Sequence, residues 1–201
     1  MKNIFACLFF LSISFNGFSQ NLDIDILKNI NLNRNENLDQ TFEFISNTIT
    51  PISLGAPVLI LSIGLIKKDH DITRDGLIIA ESILVSTLIT SALKYSVDRT
   101  RPYDTYPFID NVIFANGPSF PSGHTSAAFT TATSLSLAYP EWYVIAPSFA
   151  WASAVGYSRL DLGVHYPSDV LVGPIVGTGS AYLCYFVNKK LLNKKLNRRR
   201  K

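Results

Sequence analysis

Three short stretches of the chain carry the residue types that phosphate chemistry requires. They are KYSVDRTRP at 94–102, PSGH at 121–124 and SRLDLGVHYPSD at 158–169. Lys94, Arg101 and Arg159 supply three cations, and guanidinium groups suit the peripheral oxygens of a phosphoryl group. His124 and His165 add two groups that titrate near neutral pH. Because phosphoryl transfer depends mainly on positioning and charge neutralisation, this set of residues favours that chemistry.

The first two stretches predict local structures that can hold an anion. Lys94 and Arg101 are seven positions apart, two helical turns, so both lie on one face if their helix continues to the following proline. The second stretch predicts a turn-rich loop entering a helix, with free backbone N–H groups beside Ser122 and Gly123. Gly123 allows the backbone to approach the anion, and the Ser122 hydroxyl can donate another hydrogen bond.

The third stretch predicts a pair made by a histidine and a carboxylate. Pro167 suits the first position of a helix, so His165 lies just ahead of that helix and Asp169 lies in its first turn. Their side chains can therefore meet. A carboxylate bound to one ring nitrogen fixes the tautomer and leaves the other nitrogen free to attack, which predicts His165 as the nucleophile.

All three stretches resemble the signature motifs of the type 2 phosphatidic acid phosphatase and vanadium haloperoxidase superfamily, across about residues 50–188. The matching positions are Lys94, Arg101, Pro102, Pro121, Ser122, Gly123, His124, Ser158, Arg159, His165 and Asp169. The resemblance implies that phosphate is bound by Lys94, Arg101, Ser122, Gly123 and Arg159. It also implies that His165 becomes transiently phosphorylated, that Asp169 orients it, and that His124 protonates the leaving oxygen and later activates water. It implies no metal and no other cofactor.

Other charged residues carry no predicted chemistry. Arg99, Asp98, Asp104 and Asp161 match no motif position, and we interpret them as loop charges. His70 stands in the charged run KKDHDITRD, which is typical of a surface position. The segment LDQTFEFISNTIT at 38–50 predicts an amphipathic helix that packs on the protein or lies at a membrane interface.

Composition and the N-terminus indicate the cellular setting. The 201 residues suit one domain, and 47% hydrophobic against 16% charged residues is apolar for a soluble protein. Residues 1–19 predict a secretory signal peptide, with a basic residue, an apolar run and a small residue at the predicted cleavage site, Ser19. Its removal leaves Cys184 alone, so no intramolecular disulfide is predicted.

Five apolar blocks follow, at 52–66, 77–93, 125–139, 142–157 and 170–187. They predict an all-α bundle of about five membrane-spanning or core helices with the active site at one end. Most blocks are shorter than a typical span of about 17–25 residues, so a soluble bundle is the alternative. The predicted organisation is a signal peptide at 1–19, a polar segment at 20–50, a phosphatase domain at 51–188 and a basic tail at 189–201.

Charge distribution favours a membrane orientation. If a cleaved signal leaves the N-terminus outside, Lys67, Lys68, Arg74 and the basic tail face the cytoplasm, as the positive-inside rule requires. All three motifs then lie on the outer face. The tail is one run without interleaved aromatic residues, so it predicts contact with anionic lipid and no nucleic-acid partner.

These patterns predict a metal-independent phosphatase of the bacterial inner membrane whose active site faces the periplasm. Its substrate is a phosphorylated lipid: an isoprenyl diphosphate, phosphatidate, phosphatidylglycerol phosphate or a lipid A phosphate. The alternatives are a soluble periplasmic acid phosphatase, a vanadium haloperoxidase and a non-catalytic phospholipid-binding protein.

Overall fold

The computed structural model describes the backbone of residues 16–199 and the side chains of residues 22–191. The described elements are α1 (Asn16–Leu32), a 3-10 helix (Glu36–Leu38), α2 (Asp39–Asn47), α3 (Ile49–Lys67), α4 (His70–Val97), α5 (Pro102–Thr105), α6 (Gly123–Ala138), α7 (Trp142–Asp161) and α8 (Pro167–Arg199). All are helices, and the described range contains no strand. The prediction of an all-α fold is confirmed, and each of the five apolar blocks lies largely within one helix.

Helix α6 lies at the centre of the bundle, where it packs against α3, α4, α7 and α8. Its sequence is rich in Ser, Thr and Ala, and most of these side chains are buried. The hydroxyls of Ser126 and Thr130 donate to carbonyls one turn earlier, at 2.9 Å and 2.7 Å. Because hydroxyls of this kind find acceptors within their own helix, α6 can be both hydroxyl-rich and buried.

Two glycines let α8 approach α6 closely. A Cβ added at Gly173 would lie 2.6 Å from the Cβ of Thr125, and one added at Gly177 would collide with the backbone of α6 at Ser126. The two glycines are four residues apart and so lie on the same face of α8. This spacing of small residues is common where helices pack inside membranes.

The bundle is apolar on its outside. Large side chains such as Leu54, Leu65, Leu84 and Leu171 are exposed, whereas much of the interior consists of small hydroxyl residues. Within the described residues, three helical stretches are long and apolar enough to cross a membrane: Glu36–Lys67, His70–Thr105 and Pro167–Leu191. Together with the apolar exterior, these stretches indicate a membrane protein. The prediction of about five helices that span the membrane or form the core is compatible with three candidate spans.

Several element bounds differ from the prediction. The charged run after α3 was expected to be a connection, but α4 already begins at His70. Asp69 explains this early start, because its side chain accepts hydrogen bonds from the N–H groups of Asp71 and Ile72 and so caps the helix. Helix α8 continues past position 188 into the basic tail. Most of the predicted signal peptide lies outside the described residues.

Candidate active site

One end of the bundle contains a cavity of about 390 Å³. Its wall is formed by the segment 113–116 together with Asn47, Lys94, Arg101, Gly123, His124, Arg159 and His165. Most of these residues come from the ends of α2, α4 and α7, the start of α6 and the loop before α8, whereas Arg101 and the segment 113–116 lie on either side of α5. Successive helices of the bundle run in alternating directions, which brings these termini to the same end. Six of the eight predicted site residues line the cavity, and Ser122 and Asp169 do not.

Two of the cations are held by backbone carbonyl groups, most of which belong to the loop that precedes α6. Arg101 is 4% exposed and donates to the carbonyls of Gly117, Asn116 and Val164 at 2.9, 3.0 and 2.8 Å. Lys94 donates to the carbonyls of Pro118 and Ser119. Carbonyl oxygens orient these cations without neutralising them, so their positive charge remains available to an anion in the cavity.

Arg159 is the third cation, and it is 2% exposed. It donates to the hydroxyl of Ser46, on α2, while its Nε is buried and has no hydrogen-bond partner in the described part of the chain. A buried donor without an acceptor is costly. Its position in the wall of the cavity fits a site where a bound anion supplies the acceptor.

His165 and Asp169 form the predicted histidine–carboxylate pair. Helix α8 begins at Pro167 with Asp169 in its first turn, and Oδ2 of Asp169 lies 3.4 Å from Nδ1 of His165. The same oxygen accepts from the N–H of Tyr166 at 3.0 Å and from the hydroxyl of Ser119 at 2.5 Å. The carboxylate is therefore fixed. The other ring nitrogen, Nε2, lies 3.4 Å from Nη1 of Arg101, so it is the nitrogen on the side of the phosphate-binding cations.

The electrostatics of the cavity favour an anion and keep the two histidines neutral. Burial, followed by the charges of Arg159, Arg101 and Lys94, lowers the pKa of His124 to about 3. Burial also lowers the pKa of His165, and the hydrogen bond to Asp169 opposes that shift. Both histidines are thus neutral at pH 7. An anion that neutralises the cations would raise the pKa of His124 and let it act as an acid.

Ser122 and Gly123 start helix α6. Ser122 is fully buried, its hydroxyl accepts from the N–H and the hydroxyl of Thr125, and its own N–H donates to the carbonyl of Asp169 at 3.0 Å. It therefore caps α6 and joins α6 to α8. A Cβ added at Gly123 would lie 3.9 Å from Cε of Lys94, so a side chain there would extend toward the predicted phosphate-binding ammonium.

One interpretation made from the sequence is wrong, and another is incomplete. Helix α4 ends at Val97, and Asp98 adopts a left-handed conformation with φ of 47°, so Lys94 and Arg101 do not share a helix face. The turn at Asp98 brings them to one cavity instead. Arg99 lies in the loop between α4 and α5, as interpreted, but it contributes to the site, because its Nη1 donates to Oδ1 of Asp169 at 2.7 Å.

Other contributors to the site carried little or no signal in the sequence. Ser119 binds Asp169, and its place in the turn-rich loop before PSGH was the only indication of a role. Ser46 and Asn47 belong to the segment to which no chemistry was assigned, yet one binds Arg159 and the other lines the cavity. Nothing in the local pattern of that segment points to phosphate.

The fold and the site define a helical membrane protein with a cationic cavity that contains two histidines. The chain belongs to the PAP2 superfamily, whose family model matches residues 75–192. It is 34% identical over 110 residues to a lipid A 4'-phosphatase of Bacteroides thetaiotaomicron, covering 52% of this chain and 49% of that one. It is 28% identical over 173 residues to an undecaprenyl-diphosphatase of Sulfolobus acidocaldarius, covering 83% and 80%.

A solved structure shares the fold. The crystal structure of a transmembrane PAP2-type phosphatidylglycerolphosphate phosphatase from Bacillus subtilis matches with a TM-score of 0.73 at 24% identity, over 94% of this chain and 95% of that one. Relatives of this chain are thus named as phosphatases of several different lipids. The matched region spans about half the length of the Bacteroides relative.

Proposed function

We propose that this protein is a phosphatase that removes phosphate from a lipid phosphate or diphosphate. The observation that carries the proposal is the shared cavity, in which three cations and two histidines meet at one end of a bundle with an apolar exterior. A cationic pocket suits a phosphate, and an apolar exterior suits the acyl or isoprenyl chain that remains in the membrane. The phosphatase relatives support this assignment.

In the proposed reaction, Lys94, Arg101 and Arg159 bind the non-bridging oxygens of the phosphate. Nε2 of His165 attacks phosphorus, and the bond from phosphorus to the lipid oxygen breaks. His124 donates a proton to that oxygen, so the lipid leaves as an alcohol, or as a monophosphate if the substrate is a diphosphate. Asp169 stabilises the positive charge that develops on the His165 ring.

The second half of the reaction restores the enzyme. His124, now neutral, accepts a proton from a water molecule, which attacks the phosphohistidine and breaks the bond between nitrogen and phosphorus. Inorganic phosphate is released. The backbone N–H groups of Gly123 and His124, at the start of α6, are suited to hold the phosphate oxygens through both steps, whereas the N–H of Ser122 is bound to the carbonyl of Asp169.

The proposed location is the bacterial inner membrane with the cavity on the periplasmic side. Lys67 is the last residue of α3, Lys68 follows it, and Arg74 lies near the start of α4, so these cations belong to the end of the bundle opposite the cavity. By the positive-inside rule, this charge distribution supports a cavity on the outer face of the membrane. We also propose that the functional domain begins before position 51, because Ser46 and Asn47 contribute to the site.

The experiment that tests this function measures phosphate release by the purified full chain in detergent, with EDTA present. The substrates are phosphatidate, phosphatidylglycerol phosphate, an isoprenyl diphosphate, a lipid A phosphate and p-nitrophenyl phosphate. We expect release from at least one lipid, abolished in His165→Asn and His124→Asn. His70→Asn is the matched control, because His70 is exposed and distant in sequence from the motifs.

Other outcomes point to the alternatives. Release from p-nitrophenyl phosphate alone would favour an acid phosphatase that acts on water-soluble esters. Bromide oxidation in the presence of vanadate and peroxide would favour a haloperoxidase. A folded wild type that binds phospholipid without hydrolysing any substrate would refute the proposal and favour a binding protein. A phosphorylated intermediate trapped in wild type and absent from His165→Asn would support the proposed covalent step.

A further inference from the structure

The N-terminal helix α1 places a buried carboxylate next to the start of α8. Asp23 is 6% exposed, and its two oxygens are bound by three donors. Oδ1 accepts from the N–H of Ser168 at 2.8 Å, while Oδ2 accepts from the Ser168 hydroxyl at 2.5 Å and from Nη2 of Arg99 at 2.7 Å. Asp23 therefore caps α8 from another helix, at the turn that contains Asp169.

Arg99 connects this carboxylate to the histidine–carboxylate pair. Its Nη1 donates to Oδ1 of Asp169 at 2.7 Å and to the hydroxyl of Ser168 at 2.7 Å. Its guanidinium carbon lies 3.7 Å from the centre of the Tyr166 ring. The planar guanidinium of Arg99 thus bridges the buried carboxylates of Asp23 and Asp169, a geometry that a lysine ammonium cannot reproduce.

The two oxygens of Asp169 are consequently held from different directions. Oδ2 faces His165, Ser119 and the backbone N–H of Tyr166, whereas Oδ1 is held by Arg99. Fixing both oxygens fixes the plane of the carboxylate and, through it, the orientation of the His165 ring. The bond from Nη2 of Arg99 to Asp23 helps to fix the guanidinium in the position that holds this oxygen.

We propose that Asp23 is a positioning residue for the His165–Asp169 pair, acting through Arg99 and Ser168, so that α1 is part of the active-site assembly. The inference rests on the proposed function, since it concerns the same histidine. Asp23 does not line the cavity and so does not touch the substrate. Its loss should therefore reduce turnover and leave substrate binding nearly unchanged.

The test compares Asp23→Asn with Asp25→Asn in the full chain, in detergent. Asp25 lies on the same helix, carries the same charge and is exposed, so it is a matched control. We expect Asp23→Asn to lower kcat between about 10-fold and 100-fold, the effect of a small misplacement of a reacting group, with KM within about twofold. Asp25→Asn should have the kcat of wild type.

A second substitution tests the connection through Arg99. Arg99→Lys keeps the charge but loses the guanidinium group that binds both carboxylates, so it should lower kcat in the same way. The double variant Asp23→Asn with Arg99→Lys should be no slower than the slower single variant, because both changes disrupt one chain of contacts. If Asp23→Asn fails to fold, Ser168→Ala tests the same chain, because it removes hydroxyl contacts and retains all charges; its kcat should fall a few-fold.

Three results would overturn the inference: wild-type kcat in Asp23→Asn, multiplicative losses in the double variant, or a loss of kcat fully explained by a smaller folded fraction. Wild-type protein that releases no phosphate would refute the proposed function instead. Nitrogen NMR of the three histidines would then test the inference alone. A changed His165 tautomer signal in Asp23→Asn, with no change in Asp25→Asn, would support it, and identical spectra would overturn it.

Discussion

The partly buried His124 makes the stability of the protein depend on pH in a predictable direction. In the folded chain the pKa of His124 is lowered to about 3, whereas an unfolded histidine has a pKa of about 6.5. Between these values the unfolded chain binds a proton that the folded chain does not. The stabilisation is therefore complete above about pH 6.5 and is lost progressively as the pH falls toward 3.

The size of the effect follows from the two pKa values. Lowering the pH from 7 to 5 should reduce the free energy of unfolding by about 2 kcal/mol for His124 alone. For a chain of about 200 residues, 1 kcal/mol corresponds to about 2–4 °C in the apparent unfolding temperature. His124 should therefore account for a decrease of about 4–8 °C between the two pH values.

The assay is thermal unfolding of wild type, His124→Asn and His70→Asn in detergent at pH 7 and pH 5. Asparagine is close in size and does not titrate, so the decrease should be smaller in His124→Asn by about 4–8 °C. His70 is exposed, and its variant should follow wild type. Equal decreases in wild type and His124→Asn would refute the conclusion that the cavity keeps this histidine neutral.

Three further predictions concern helix packing and the His165–Asp169 pair. Gly173→Ala should destabilise the protein by about 1–3 kcal/mol through overpacking. A Cβ added at Gly179 has no neighbour within 4 Å, so Gly179→Ala should cause no such loss. Equal unfolding temperatures of the two variants would contradict this prediction. Asp169→Asn should lower kcat by about 10³- to 10⁴-fold, because His165 loses its orienting carboxylate; activity within tenfold of wild type would refute that role. Ser119→Ala should lower kcat about tenfold by freeing one carboxylate oxygen, and unchanged steady-state kinetics would exclude a positioning role.

The sequence predicted the helices and most of the site because both leave local signals. Apolar blocks, caps and prolines are read within a few residues, and they predicted where α6 and α8 begin. The motif residues could be grouped because their types suit a single chemistry. The face shared by Lys94 and Arg101 was predicted wrongly, because the left-handed turn at Asp98 ends the helix between them.

The contributions from the N-terminal segments could not be predicted in this way. Asp23 and Ser168 are 145 positions apart, and Ser46 and Arg159 are 113 positions apart. A hydrogen bond between such distant positions depends on how α1 and α2 pack against α7 and α8, and no periodicity within either segment encodes that packing. The same reason explains why Arg99 was interpreted as a loop charge.

The sequence by itself therefore determined the chemistry and the elements: which residues can bind and transfer phosphate, and which segments become helices. The tertiary structure alone decided which supporting residues hold those groups. It placed Ser46 against Arg159, and Asp23 and Arg99 behind Asp169. Residue type and helix formation follow from local interactions, whereas the orientation of a buried carboxylate depends on every donor that the packed helices bring within hydrogen-bond distance.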